Sequence, residues 1–168
     1  DVGVPNFDTT GWGMIVAPAH TPAAVVARLR AALDDILTES DVHPLSDAFI
    51  AIGWDRQPSW FERFVDDAAR GARVSWVALF DRSYAGYVTL LAESSYAPLV
   101  GTGIPEVSDL NVLPQFRRRG IASRLMDEVE SEAAKTSSTV ALGVGLHAGY
   151  NAAQRLYALR GYIPDGRG

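Results

Sequence analysis

Residues 106–135 constrain the architecture of this chain more than any other stretch. Glu106–Val112 has the look of a strand, Pro114 halts it, and Arg117-Arg118-Arg119-Gly120 then leads into a long amphipathic helix from about Arg119 to Lys135. Ile121, Leu125 and Val129 share the core face of that helix, with Asp127, Glu128, Glu130 and Glu132 expected mostly in water. Basic residues in a first helical turn oppose the macrodipole, so three arginines there ask for a reason, and a bound anion supplies one. Gly120 lets a phosphate approach the backbone with no Cβ in between. A solvated basic turn is the alternative reading.

The rest of the chain surrounds this unit with elements of both kinds. Asp41–Ile52 reads as a helix with Leu45, Phe49 and Ile52 on one face, and Ser59 caps a second carrying Trp60, Phe61, Phe64, Val65 and Ala68. Strands follow at 74–80 and 84–91, joined at Asp81-Arg82-Ser83, and a Gly- and Pro-rich loop spans 94–104. After the long helix come a strand over 139–144, a helix over 151–160 stopped by Gly161, and the start of a last strand at Tyr162-Ile163. Upstream, 12–17 reads as a strand, Thr21-Pro22 opens a helix running to Ile36, and 36–38 competes as a short strand. The order predicts an α/β (α+β) sandwich, helices covering both faces of a mixed sheet.

Composition removes whole classes of function. The formal charge of -5 lacks the basic surface of a general nucleic-acid binder. With no cysteine there are no disulfides, thiolate nucleophiles or Cys-ligated metals, and three scattered histidines suggest no metal site. No apolar run is long enough to cross a membrane and no secretory signal opens the chain, which begins at Asp1. A cytoplasmic, membrane-free setting is the expectation.

Arg117-x-x-Gly120-x-Ala122, following Leu110-Asn111-Val112-Leu113-Pro114, resembles the pyrophosphate-binding motif of the GNAT (GCN5-related) N-acetyltransferases. Asn151-Ala152-Ala153-Gln154-Arg155-Leu156-Tyr157, closed by Gly161-Tyr162, resembles that family's second signature. Together the two cover about residues 36–163. The resemblance implies the GNAT fold, its sheet mixed and mostly antiparallel, and acetyl transfer from acetyl-CoA as cosubstrate to an amine of a small molecule or peptide, with no metal. It implies that Asn111 and Val112 pair with the pantetheine arm through their backbone, the Val112 amide also serving as oxyanion donor. Amides of Arg117, Arg118, Arg119, Gly120, Ile121, Ala122 and Ser123 would cradle the pyrophosphate, with the Arg118 or Arg119 side chain near the adenosine-end phosphates. Asn151 would hydrogen-bond pantetheine, and Tyr157 would protonate the leaving thiolate. From the residues alone, Tyr157 could equally be a core aromatic and Asn151 a plain helix cap.

A base is harder to read. Glu106 and Asp109 lie on the strand before the motif, three apart and so expected on opposite faces. Either could take the amine's proton, directly or through water, or could simply face solvent. Trp54, Trp60 and the 94–104 loop mark where the acceptor would enter. Gly143–Gly149 lacks dinucleotide-loop spacing, no Gly-x-Ser-x-Gly elbow occurs, and His147 reads as a loop residue.

Residues 1–35 are expected to form an appended strand–helix segment beside the acetyltransferase domain of 36–168. Gly3-Val4-Pro5, Phe7, Gly11-Trp12, Ala17-Pro18-Ala19 and Thr21–Val26 resemble a stretch of the periplasmic receptors of tripartite tricarboxylate transporters. The GNAT pattern closes with a strand beside 139–144, and none is visible before Gly168. Residues 12–17 could fill that slot, within the chain or across a swapped homodimer, or could pack elsewhere. Two other functions compete with the enzyme: a non-catalytic acyl-CoA-binding module, and a solute-binding fragment.

Overall fold

The computed structural model describes residues 7–12, 39–81 and 83–166. In chain order the elements are β1 (Phe7–Trp12), α1 (Glu39–Ile50), α2 (Pro58–Ala69), β2 (Arg73–Phe80), β3 (Ser83–Leu91), β4 (Glu106–Val112), α3 (Ile121–Ala133), β5 (Ala141–Leu142) and α4 (Asn151–Leu159). The strands form one sheet in the order β1-β2-β3-β4-β5, antiparallel as far as β4, with β5 parallel to β4.

Alternation along the strands builds two cores, one on each side of the sheet. Trp76 and Ala78 of β2, with Ala85, Val88 and Leu90 of β3, turn toward Ile121, Leu125, Met126 and Val129 of α3 and Tyr157 of α4. Val77 and Tyr87 turn the other way, into an aromatic cluster with Phe49 of α1 and Phe61 and Phe64 of α2. There the Tyr87 ring meets Phe49 and Phe61 edge-on at 5.3 and 5.5 Å, an arrangement favoured by the ring quadrupoles. Helices thus cover both faces, as the sequence leads one to expect.

Several boundaries differ from the sequence reading. Pro58, not Ser59, leads α2; Gln57 takes the N-cap position without a side-chain bond, since proline has no N–H to satisfy in a first turn. The strand expected over 139–144 shrinks to Ala141–Leu142, and residues 162–165 carry no strand. Glu130 is not mainly in water. Its carboxylate accepts from Arg160 Nε and Nη2 at 2.8 and 2.6 Å and from the Tyr162 hydroxyl at 3.1 Å, tying α3 to the end of α4.

β1 pairs with β2 from Phe7↔Phe80 to Trp12↔Ser75, at the sheet edge opposite β5, so those residues do not fill the slot beside β5. The rest of the 12–17 strand, the 21–36 helix and the 36–38 strand lie outside the described residues.

Candidate active site

The site is assembled where β4 leaves its neighbour. β4 pairs with β5 only at Glu106↔Ala141 and Val107↔Leu142, so Ser108–Val112 has no strand partner on that side among the described residues. Leu113 N–H donates to the Ala85 carbonyl on the β3 side at 2.8 Å. Strand alternation therefore turns the Val112 amide the other way, toward the open edge. On the β3 side the backbones are in close approach: a Cβ on Gly86 would lie 2.3 Å from the Asn111 carbonyl oxygen. A glycine is the residue that fits there.

Asp109 alters the register. Its φ of 54° is left-handed, and the β3–β4 register shifts between Tyr87↔Asn111 and Thr89↔Ser108. The bulge brings Val107, Leu110 and Val112 all onto the α3 side, which strict alternation forbids. It also corrects the expectation that Glu106 and Asp109 point apart. Glu106 lies opposite Val107 by alternation, and the Asp109 carboxylate lies 3.8 Å from Arg56 and 4.0 Å from Arg73, on the same α1–α2 side. The two acids have different surroundings. Glu106 accepts from the Ser94 hydroxyl, whose oxygen accepts from Tyr96 N–H at 3.0 Å, and so anchors the following loop. Asp109 instead borders a cleft of about 310 Å³ between α2 and the sheet, with Trp60 and Phe64 as its apolar wall. Trp54, by contrast, stacks on Phe49 at 5.6 Å and does not line the cleft. His147 is a loop residue, its Nδ1 accepting from Gly149 N–H at 3.2 Å.

Beyond β4, a single 3-10 turn (Pro114–Phe116) leads to the arginines. Arg117 donates from Nε to the Val112 carbonyl at 3.2 Å, and Arg119 lies 4.7 Å above the Phe80 ring. Arg118 and Gly120 both adopt left-handed φ, 62° and 80°. Gly120 is the N-cap of α3 and supplies no side-chain bond, so amides of the first turn lack a side-chain acceptor. A Cβ on Gly120 would meet no atom of the described residues within 4 Å beyond its own neighbours. Ile121 is buried, while Ala122 and Ser123 are half-buried.

Tyr157 and Asn151 sit on α4. Tyr157 is 9% exposed and belongs to the cluster that also holds Ile121 and Val112. Burial, helped by Tyr150, pushes its hydroxyl up to about 12, so the phenol keeps its proton at neutral pH. Asn151 is exposed as the first residue of α4; the N-cap is Tyr150.

An open strand edge running into an uncapped helix N-terminus through a left-handed turn leaves backbone donors unpaired among the described residues, within a mixed α/β sandwich. The chain's residues 30–162 match the family model described as acetyltransferase (GNAT) family, and the protein belongs to that family. Solved structures share the fold. A ribosomal-protein-alanine N-acetyltransferase from Brucella melitensis biovar Abortus superposes with a TM-score of 0.60 at 17% identity, covering 96% of this chain and 95% of its own. An aminoglycoside 6'-N-acetyltransferase from Acinetobacter baumannii gives 0.62 at 16%, covering 79% and 90%. A predicted acetyltransferase from Clostridium acetobutylicum, solved with acetyl-CoA, gives 0.57 at 13%, covering 96% and 93%. No curated protein matches the sequence. No group of metal-ligating side chains occurs among the described residues, and no described helix is long and apolar enough to cross a membrane.

The sequence reading passed over Arg56, Arg63 and Arg73. The signal was present: Arg63, Asp66, Asp67 and Arg70 recur at helical spacing along α2 beside Trp60.

Proposed function

We propose that this protein is an N-acetyltransferase moving acetyl directly from acetyl-CoA to a primary amine of a small molecule or peptide. One observation carries the reading: the unpaired Ser108–Val112 edge of β4 runs straight into the uncapped, left-handed turn at Gly120. Those residues fit coenzyme A in both its parts. Val112 offers its backbone amide to an extended amide-bearing arm, as to an added strand, whereas Asn111 turns its carbonyl to the β3 side. Amides from Arg118 to Ser123 form a donor-rich end for a pyrophosphate, the Arg117 amide being taken by the Pro114 carbonyl, and the exposed Arg118 side chain adds a cation. Asn151, at the head of α4, supplies a further donor and acceptor for the arm.

The bound thioester supplies an activated acetyl group, and the protein's residues do the rest. The Val112 amide donates to the thioester carbonyl oxygen where negative charge develops. Tyr157, protonated at neutral pH, gives its proton to the departing sulfur. Asp109 faces the acceptor amine from the cleft, holds it, and takes its proton directly or through one water. Glu106, engaged by Ser94, shapes the loop beside the site.

Titration calorimetry with acetyl-CoA, followed by thiol release with a panel of amines, tests the reading. Binding with turnover supports it. Binding without turnover of any amine points to the non-catalytic acyl-CoA module, and absence of binding removes the site.

A further inference from the structure

The cleft beside Asp109 has a charge pattern that the acetyl-transfer reading leaves unused. Asp67 is already taken up, accepting from Arg70 at 2.6 Å and from Arg73 at 3.2 Å. Asp109 is held more loosely, within 4 Å of Arg56 and Arg73 but hydrogen-bonded by neither side chain, so its carboxylate can still accept. Arg63 stacks on Trp60 at 4.8 Å and makes no ion pair among the described residues. Arg56 also lies against the Trp60 ring, at 4.3 Å.

Arg56 Nε, Trp60 Nε1 and the Tyr87 hydroxyl are buried together, so the cation left to a ligand in the cleft is Arg63. Three guanidinium side chains line the cleft against three carboxylates, so it presents no net negative surface to a compound carrying several ammonium groups.

We infer that the acceptor is a zwitterionic amine, an amino acid or short peptide carrying a carboxylate, and not a polycation; this rests on the acetyl-transfer reading above. Its ammonium sits against Asp109, three residues before Val112. Its carboxylate faces Arg63, and its apolar part lies on Trp60 and Phe64. The volume of about 310 Å³ suits a ligand of that size.

Phenylalanine, phenylalanine amide, phenethylamine and kanamycin, each titrated into the full chain with tryptophan fluorescence as readout, test the inference without acetyl-CoA. The same four compounds are then compared as acceptors in thiol release. The acid is expected to bind at least tenfold more tightly than its amide or phenethylamine, the worth of one charge-assisted contact. Arg63→Gln, at an exposed position and with its fold checked by urea unfolding, should erase that preference, bringing the acid down to the amide's affinity. Equal binding of acid and amide, tighter binding of kanamycin, or no binding of the acid overturns the inference. Loss of acetyl-CoA binding in calorimetry, with the acid preference intact, would count against the transferase reading instead.

Discussion

Gly86, paired with Val112 across β3 and β4, comes so close to the preceding residue that a Cβ on the glycine would fall 2.3 Å from the Asn111 carbonyl oxygen. Since that oxygen is backbone, the clash is relieved only by moving β4. Gly86→Ala should therefore destabilise the fold by about 1–3 kcal/mol and weaken acetyl-CoA binding through the shifted strand. Urea unfolding and calorimetry check both parts; an unchanged midpoint would mean that β4 yields freely.

Gly120→Asp should weaken acetyl-CoA binding strongly while the protein still folds. The aspartate Cβ meets open space, but a φ of 80° disfavours any side chain, and its charge faces the expected phosphates. The loss is about 1.5–3 kcal/mol or more, from one charge-assisted contact and added repulsion. Unaltered affinity in a folded variant sinks the turn as the cofactor site.

Tyr157→Phe should lower turnover about 10²-fold or more and leave acetyl-CoA affinity near the parent value. The ring stays in its cluster against Tyr162, 5.8 Å away, and the hydroxyl alone is lost. A parent-like rate would show that the thiolate leaves without this acid.

Alkaline stability provides a check independent of function. Burial pushes the Tyr87 and Tyr157 hydroxyls from about 10 up to about 12 and raises Tyr162 as well. Above pH 10 the unfolded chain ionises these phenols while the folded chain does not. The stability they contribute is thus fully present below pH 10 and lost as pH rises from 10 through 12. The loss is on the order of 3 kcal/mol at most for Tyr87 and for Tyr157. Urea midpoints across that range, read with tyrosinate absorbance, test it; a flat profile would contradict the burial of these hydroxyls.

Arg160→Leu should destabilise the protein by about 1–3 kcal/mol. It leaves Glu130 half-buried with the Tyr162 hydroxyl as its remaining partner. The midpoint of thermal unfolding reports the change, and Glu130→Gln in the same background should recover part of it.

Periodicity carries the sequence reading through β2, β3, β4 and α4. By contrast, α3 starts at Ile121 and ends at Ala133, inside the expected 119–135, so the arginines precede the helix and do not lie in its first turn. Periodicity fails where distance or a single backbone angle decides. Nothing local announces that Asp109 turns left-handed, and that one residue reverses which face its neighbours share. Glu130 looks like a surface acid until Arg160 arrives thirty residues later. The turn proposed for the cofactor is legible because its arginines, glycine and following helix are contiguous. The cleft proposed for the acceptor is not, because Arg73 and Asp109 and the residues of α2 come from separate elements.

The sheet divides the interior into two compartments, and Phe116, in the turn before the arginines, packs against both. One compartment carries the turn proposed for the cofactor and the other the cleft proposed for the acceptor. On that proposal, mutational drift in α1 and α2 reshapes what the protein accepts without eroding its grip on the donor, so long as Phe116 is kept. New specificities in such a scaffold are reached by remodelling one storey of the molecule at a time, with this ring as the beam common to both.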